Sequence, residues 1–197
     1  MNPTLTESPR SQRLKAATHA AHERLDQRIM AAQPFASRER YGRFLQVQYR
    51  FHRDMEGYFL SPVLGGLIPD LPERCRLAQI QADLDDLGVP VPQADVLAGD
   101  YRSQTVGLGW LYVAEGSNLG AAILLKHAAR LGLDEHFGAR HLAGHPEGRA
   151  RHWREFTAAL DQAVLAPEQE LAVIEAACQA FDRVRGHVER YMPAAGE

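Results

Sequence analysis

Cysteine is nearly missing from this chain: among 197 residues only Cys75 and Cys178 occur, each alone in a helical pattern. With no CxxC spacing, a disulfide scaffold, a zinc knuckle and a thioether-linked cofactor are excluded, and a reducing compartment fits best. Long hydrophobic runs are missing too. No stretch reaches about 18 uninterrupted apolar residues, and the amino-terminal MNPTLTESPRSQR lacks the apolar core of a secretory signal, so a soluble, cytoplasmic protein is expected, without a membrane partner. Neither sign of charge dominates. The 22 Lys and Arg nearly balance the 25 Asp and Glu, for a net charge of -3, which argues against nucleic acid or an anionic membrane and leaves a small molecule as the expected partner.

Period-two alternation between turn signals is also absent, so essentially no sheet is expected. The chain has no HExxH, P-loop, GxGxxG after a strand or GxSxG elbow, and it lacks the ExxH pairs of a di-iron bundle. His19 and His22, three residues apart, have no second ligand pair at convincing spacing to complete a metal site.

What is present is an all-α pattern. Hydrophobic residues make up 45% of the chain, enough for one core, and no linker divides it, so residues 1–197 read as a single domain with flexible ends at about 1–9 and 193–197. Ser8 as N-cap and Pro9 at the first helical position open a helix running to about Ala32. A second runs from near Ser37 to before Pro62, with Tyr41, Phe44, Leu45, Met55 and Phe59 inward and Gln48 and His52 on the same stripe. Leu77, Ile80, Leu84 and Leu87 make a short helix closed by Gly88 and Pro90, and 88–101 is a connection. A long apolar helix over about Gln104–Leu131 stops at Gly132. Two more fall near 147–163 and 167–191, the last with Leu171, Ile174, Cys178, Phe181, Val184 and Val188 inward. The segment DEHFGARHLAGHPEG is the least regular, with four of the nine histidines in or beside it.

The long apolar helix carries four glycines, Gly107, Gly109, Gly116 and Gly120. Each costs a helix interior roughly 1 kcal/mol relative to alanine. Tyr112, Gly116, Gly120 and Ile123 share one face, so the glycines open a shallow trough with a phenol at one end. Two readings stand: a flat ring lies in the trough, or another helix packs closely against it.

His22 has Asp26 four residues later, where a carboxylate can orient an imidazole for metal ligation; the alternative is a solvated surface histidine. Lys15 lies seven residues before His22, on the same face about 10 Å away, as an anchor for an anionic group or as an ordinary surface lysine. Gln48, His52, Asn118 and Trp153 put polar atoms on apolar stripes and need partners, through one shared water network or through local backbone.

The segments RLKAATHAAH, GWLYVAEGSNLGAA and FGARHLAGHPEGRARHW, in this order, resemble the bacterial haem oxygenases that release iron from haem, and the similarity runs from about Ser11 to Tyr191. The resemblance implies an all-α fold with haem between a proximal helix and a distal helix kinked at its glycines. It implies haem b as both cofactor and substrate, with His22 as iron ligand, Gly116, Ser117 and Gly120 as the distal backbone, and Lys15 and Tyr112 at the propionates. Gln48, His52, Asn118 and Trp153 match positions that organise distal water. The implied reaction uses O2 and an electron donor such as a ferredoxin or a flavin reductase, and gives biliverdin, CO and Fe2+, in a monomer. One branch of the family anchors its propionates through other lysines; Met30 and His127 stand at those places here, which favours cleavage at the α-meso carbon. The competing reading is a non-catalytic haem carrier or sensor.

Overall fold

The computed structural model describes residues 8–93, 101 and 103–193, so most of the terminal residues expected to be flexible, and part of the 88–101 connection, lie outside the described residues. Among the described residues seven α-helices follow one another: α1 (Arg10–Ala31), α2 (Arg38–Phe59), α3 (Pro62–Gly65), α4 (Leu77–Asp86), α5 (Gln104–Ala129), α6 (Arg149–Gln162) and α7 (Pro167–Tyr191). Short 3-10 turns lie at Pro72–Arg74 and Arg140–Leu142. Among the described residues the only β-type pairing is the pair of isolated bridges from Asp134 to Phe137 and Gly138. The fold is all-α.

Local chemistry sets the helix ends. Ser37 and Ser103 cap α2 and α5, their hydroxyls accepting from the backbone N–H of Arg40 and Val106. Pro167 begins α7, where a missing N–H costs nothing. Beyond α5, Gly132 takes φ +70°, the left-handed conformation that turns the chain away. The first helix departs from expectation. Pro9, with ψ 145°, is itself the N-cap residue, and Ser8 makes no side-chain cap; its carbonyl instead accepts from Arg13.

Helix α5 is the centre of the molecule, packed on α7 and flanked by α2 and α6, while α1 packs on α7 and α6. By length and apolarity α5 resembles a membrane span, yet half of its most apolar window is buried inside the fold, as for a core helix. The α7 stripe expected from sequence holds in the second half of the helix, where Phe181, Val184 and Val188 are buried. It shifts in the first half, where Leu171 is 55% exposed, Ile174 and Cys178 are half-buried, and Val173, Ala176, Ala177 and Ala180 are buried instead. Alanines form the contact face because α5 approaches so closely that larger side chains would not fit.

Two charged clusters fix the frame. Arg10 and Arg13 both grip Glu170, and Arg10 donates to the carbonyl of Ala163, so the start of α1 is held at the α6–α7 corner. Asp54, buried on α2, accepts from Arg183 Nε at 2.6 Å and pairs with His187 Nε2 at 2.8 Å, tying α2 to α7.

Candidate active site

The four glycines of α5 divide into two kinds. A Cβ on Gly107 would come within 2.4 Å of Leu64, and one on Gly109 within 2.5 Å of the Val173 carbonyl and 2.7 Å of Ala176. Those two serve close packing. A Cβ on Gly116 would only touch the Trp153 ring at 3.7 Å, and one on Gly120 would meet nothing within 4 Å. The second pair forms a bare backbone wall that, among the described residues, only the Trp153 ring of α6 borders at Gly116.

The opposite wall is α1. At one end the two helices approach, where the buried Tyr112 phenol lies near Thr18, whose own hydroxyl donates to the Leu14 carbonyl at 2.8 Å. Burial raises the Tyr112 pKa, and the Thr18 contact offsets part of the rise. Toward the other end Phe35, just past α1, stacks on His127 of α5 at 5.3 Å. Between these contacts each helix runs on for about 20 Å. His22 lies one turn beyond Thr18 as Gly116 lies one turn beyond Tyr112, which puts the two at matching heights on their helices.

His22 is exposed, with its ring edge-on to Phe181 at 6.0 Å. Asp26 is exposed as well, and among the described residues no direct hydrogen bond joins the two. Ile123 (62% exposed), Met30 (45%) and Leu119 (42%) put unusual apolar surface on these two helices. Lys15 is exposed and makes no ion pair among the described residues. Ser117 points its hydroxyl back to the Ala114 carbonyl at 2.6 Å, which leaves the glycine wall low. An accessible imidazole on one helix, side-chain-free backbone on the other, exposed apolar residues on both and an exposed lysine two turns from the imidazole are a residue set that suits a flat, apolar, anionic macrocycle with a metal at its centre.

Behind α5 lies a polar interior that sequence reasoning identified only in part. Asn118 and Trp153 line one small cavity together with Arg76, Glu115, Arg149 and His152. Arg149 donates to the Asn118 carbonyl at 3.0 Å and also to that of Leu142, fastening the glycine segment to the Arg140–Leu142 turn. Arg74 and Glu115 form a pair at 2.7 Å, both almost wholly buried. Burial pushes the Glu115 carboxyl up, and Arg74 and Arg76 oppose the rise. His152, stacked on His145 at 4.3 Å, is pushed down to about 4 by burial and by the charge of Arg74.

Gln48 and His52 stand apart from this cavity, on the α2 face that also carries Phe44. His52 is buried between Phe51 and Phe59, and its pKa is pushed down to about 3 by burial, then by His141 and Arg76. Arg76 is thus common to both groups: it lines the cavity, acts on His52 and donates to the carbonyls of His141 and Ala143. Arg74, Arg76, Glu115 and His141 carried no sequence signal beyond a charge on an amphipathic helix or in an irregular loop. Only the apolar neighbours of Glu115 hinted that its carboxylate is buried.

The sequence model of the family described as "Heme oxygenase" matches residues 8–190. The chain therefore belongs to the haem oxygenase family, enzymes that degrade haem. It is 46% identical over 183 residues to heme oxygenase PigA of Pseudomonas aeruginosa, covering 92% of each chain. The solved heme oxygenase of Neisseria meningitidis, described in NO- and CO-bound forms, is 39% identical and superposes with a TM-score of 0.89 over 96% of this chain and 94% of that one. The heme oxygenase of Leptospira interrogans, 21% identical, shares the fold with a TM-score of 0.76 over 93% of this chain and 100% of its own.

Proposed function

We propose that the α1–α5 cleft binds haem b as both cofactor and substrate, with His22 as the iron ligand and the Gly116, Ser117 and Gly120 backbone against the opposite ring face. With O2 and reducing equivalents, the products are biliverdin, CO and Fe2+. The observation that carries this reading is the open space at Gly120 on α5 together with an exposed His22 on α1. Bound there, haem supplies the redox-active iron at which dioxygen is activated.

The chain's own residues do the rest. His22 offers a neutral nitrogen ligand, a weaker electron donor than a thiolate. The low wall at Gly116, Ser117 and Gly120 admits the ring and leaves little room above it, so backbone shape steers which edge reacts. Lys15 is positioned by α1 to pair with a propionate, and the Tyr112 phenol, held protonated by burial, donates rather than repels. His52, neutral at any working pH, directs the protons of neighbouring water instead of releasing its own. Gln48 supplies a further polar group beside His52, and Asn118 and Trp153 supply polar atoms to water in their own cavity. With Met30 and the stacked His127 in place of lysines at the far end of the cleft, the cationic anchor is Lys15, and the α isomer of biliverdin is the expected product.

The same reading has a monomer working in the cytoplasm with a ferredoxin or flavin reductase as electron donor, and its unpaired Cys75 and Cys178 suit a reducing compartment. Mixing the protein with hemin, a reductant and air should convert the Soret band to a biliverdin spectrum, and chromatography should show the α isomer. His22→Ala should lose the Soret shift of the bound complex and turnover; an unchanged spectrum with full activity would remove His22 from the iron.

A further inference from the structure

Several buried polar atoms have no hydrogen-bond partner among the described residues; some, such as Arg28 Nη1 and Trp110 Nε1, lie apart, but four belong to neighbouring side chains. His52 Nδ1, His141 Nε2, Arg76 Nε and the Tyr41 hydroxyl are all in this state. The His141 ring lies 6.3 Å from that of Phe44, whose helix face continues to Gln48 and His52 at successive turns. His141 acts electrostatically on His52, and Arg76 acts on both while holding the His141 carbonyl. Tyr41 feels Asp83. These atoms therefore surround one region between α2, α4 and the Arg140–Leu142 turn. Polar groups buried this deeply are normally satisfied, and water is the usual partner where protein offers none.

Asp83 gives this region a direction. Its fully buried carboxylate accepts the backbone N–H of Arg140 at 2.9 Å and of His141 at 3.0 Å, and it meets His141 Nδ1 at 2.8 Å. As a carboxylate, which also meets the Arg140 guanidinium at 3.3 Å, Asp83 has no proton to give and accepts from the ring, so Nδ1 carries the proton and Nε2 is left with a lone pair.

We propose that Asp83 and His141 form a positioning pair for proton delivery: Asp83 locks the Nδ1–H tautomer of His141, whose Nε2 then orients a buried water shared with His52 Nδ1 and Arg76 Nε. The polarity of that water is passed along the Gln48 and His52 face toward the glycine wall of α5. His141 touches no substrate; it acts through water and His52. The pair extends the site reading given above and rests on it for its effect on turnover, but its geometry belongs to the protein without haem.

The test has two arms. In the haem-free protein, nitrogen-15 NMR of labelled histidines should find His141 with Nδ1 protonated and Nε2 bare, and Asp83→Asn should abolish that preference; an Nε2–H tautomer in the parent protein overturns the proposal. For turnover, His141→Asn retains a donor toward Asp83 and deletes the Nε2 acceptor. It should fold, bind haem within about twofold of the parent and lose kcat by about tenfold, the scale typical of an outer partner of a functional imidazole, with a larger solvent isotope effect. A folded His141→Asn with unchanged kcat and isotope effect would make the pair purely structural. Failure of the haem site itself would register separately, as normal turnover in His22→Ala with the tautomer result intact.

Discussion

The two halves of α5 put the same residue to opposite uses. In the first half Gly107 and Gly109 are spaces filled by other parts of the protein: Leu64 fits against one, and the α7 backbone at Val173 and Ala177 against the other. In the second half Gly120 is a space that the protein leaves open and Gly116 would meet only the Trp153 ring, with the polar cluster of Glu115, Arg74, Arg76 and Arg149 close by. Helix propensity is sacrificed at both. In one place tertiary contact returns the free energy on folding; in the other the fold returns none, which marks that half as the ligand wall.

Alanine substitutions separate the two kinds most sharply. Gly109→Ala should be the most damaging. Its Cβ would press on backbone atoms that cannot rotate away, and overpacking of this sort costs about 1–3 kcal/mol. A lowered melting temperature in the haem-free protein checks this, and an unchanged one would mean that α5 and α7 slide apart easily. Gly120→Ala should move the other way, stabilising the haem-free protein by up to about 1 kcal/mol through helix propensity alone. A loss of stability there would show that Gly120 packs against something after all.

The smallest effect near neutral pH concerns the polar backing of the open half. His152 is held near 4, below an unfolded histidine near 6.5. The unfolded chain therefore binds a proton first, and this contribution to stability is fully present above about pH 6.5 and is lost as pH falls toward 4. His52, held near 3, adds a loss of the same sign that continues to lower pH. Melting curves of the haem-free protein between pH 7 and 4 should show the decline, and His152→Asn should flatten it; identical slopes would exclude His152 as a contributor.

Helix boundaries were legible wherever the chain carried a stop or a cap: Ser37, Ser103 and Pro167 begin helices, and Gly132 follows the end of α5. The inward face in the first half of α7 was not, because Ala176, Ala177 and Ala180 carry little hydrophobic signal although their smallness is what α5 requires. The short α3 was missed since a single turn has no period to read. At the site, the glycine anomaly was visible in the sequence, but whether ligand or helix filled each space depended on Leu64 and Val173, distant in the chain. The network residues divided likewise. Asn118 and Trp153 share a cavity, Gln48 and His52 lie on α2, and the link between them, Arg76 with His141 and Asp83, arises only when α2, α4 and the Arg140–Leu142 turn converge.

The most direct test of the open wall is a hemin titration of Gly120→Leu, followed at the Soret band, beside the parent protein. A side chain at that position has free space in the haem-free protein, so helicity and melting temperature should be retained. Haem affinity should fall by tenfold or more, about 1.4 kcal/mol or greater. A folded Gly120→Leu that binds hemin as tightly as the parent would contradict the assignment of the glycine face as the haem-binding wall.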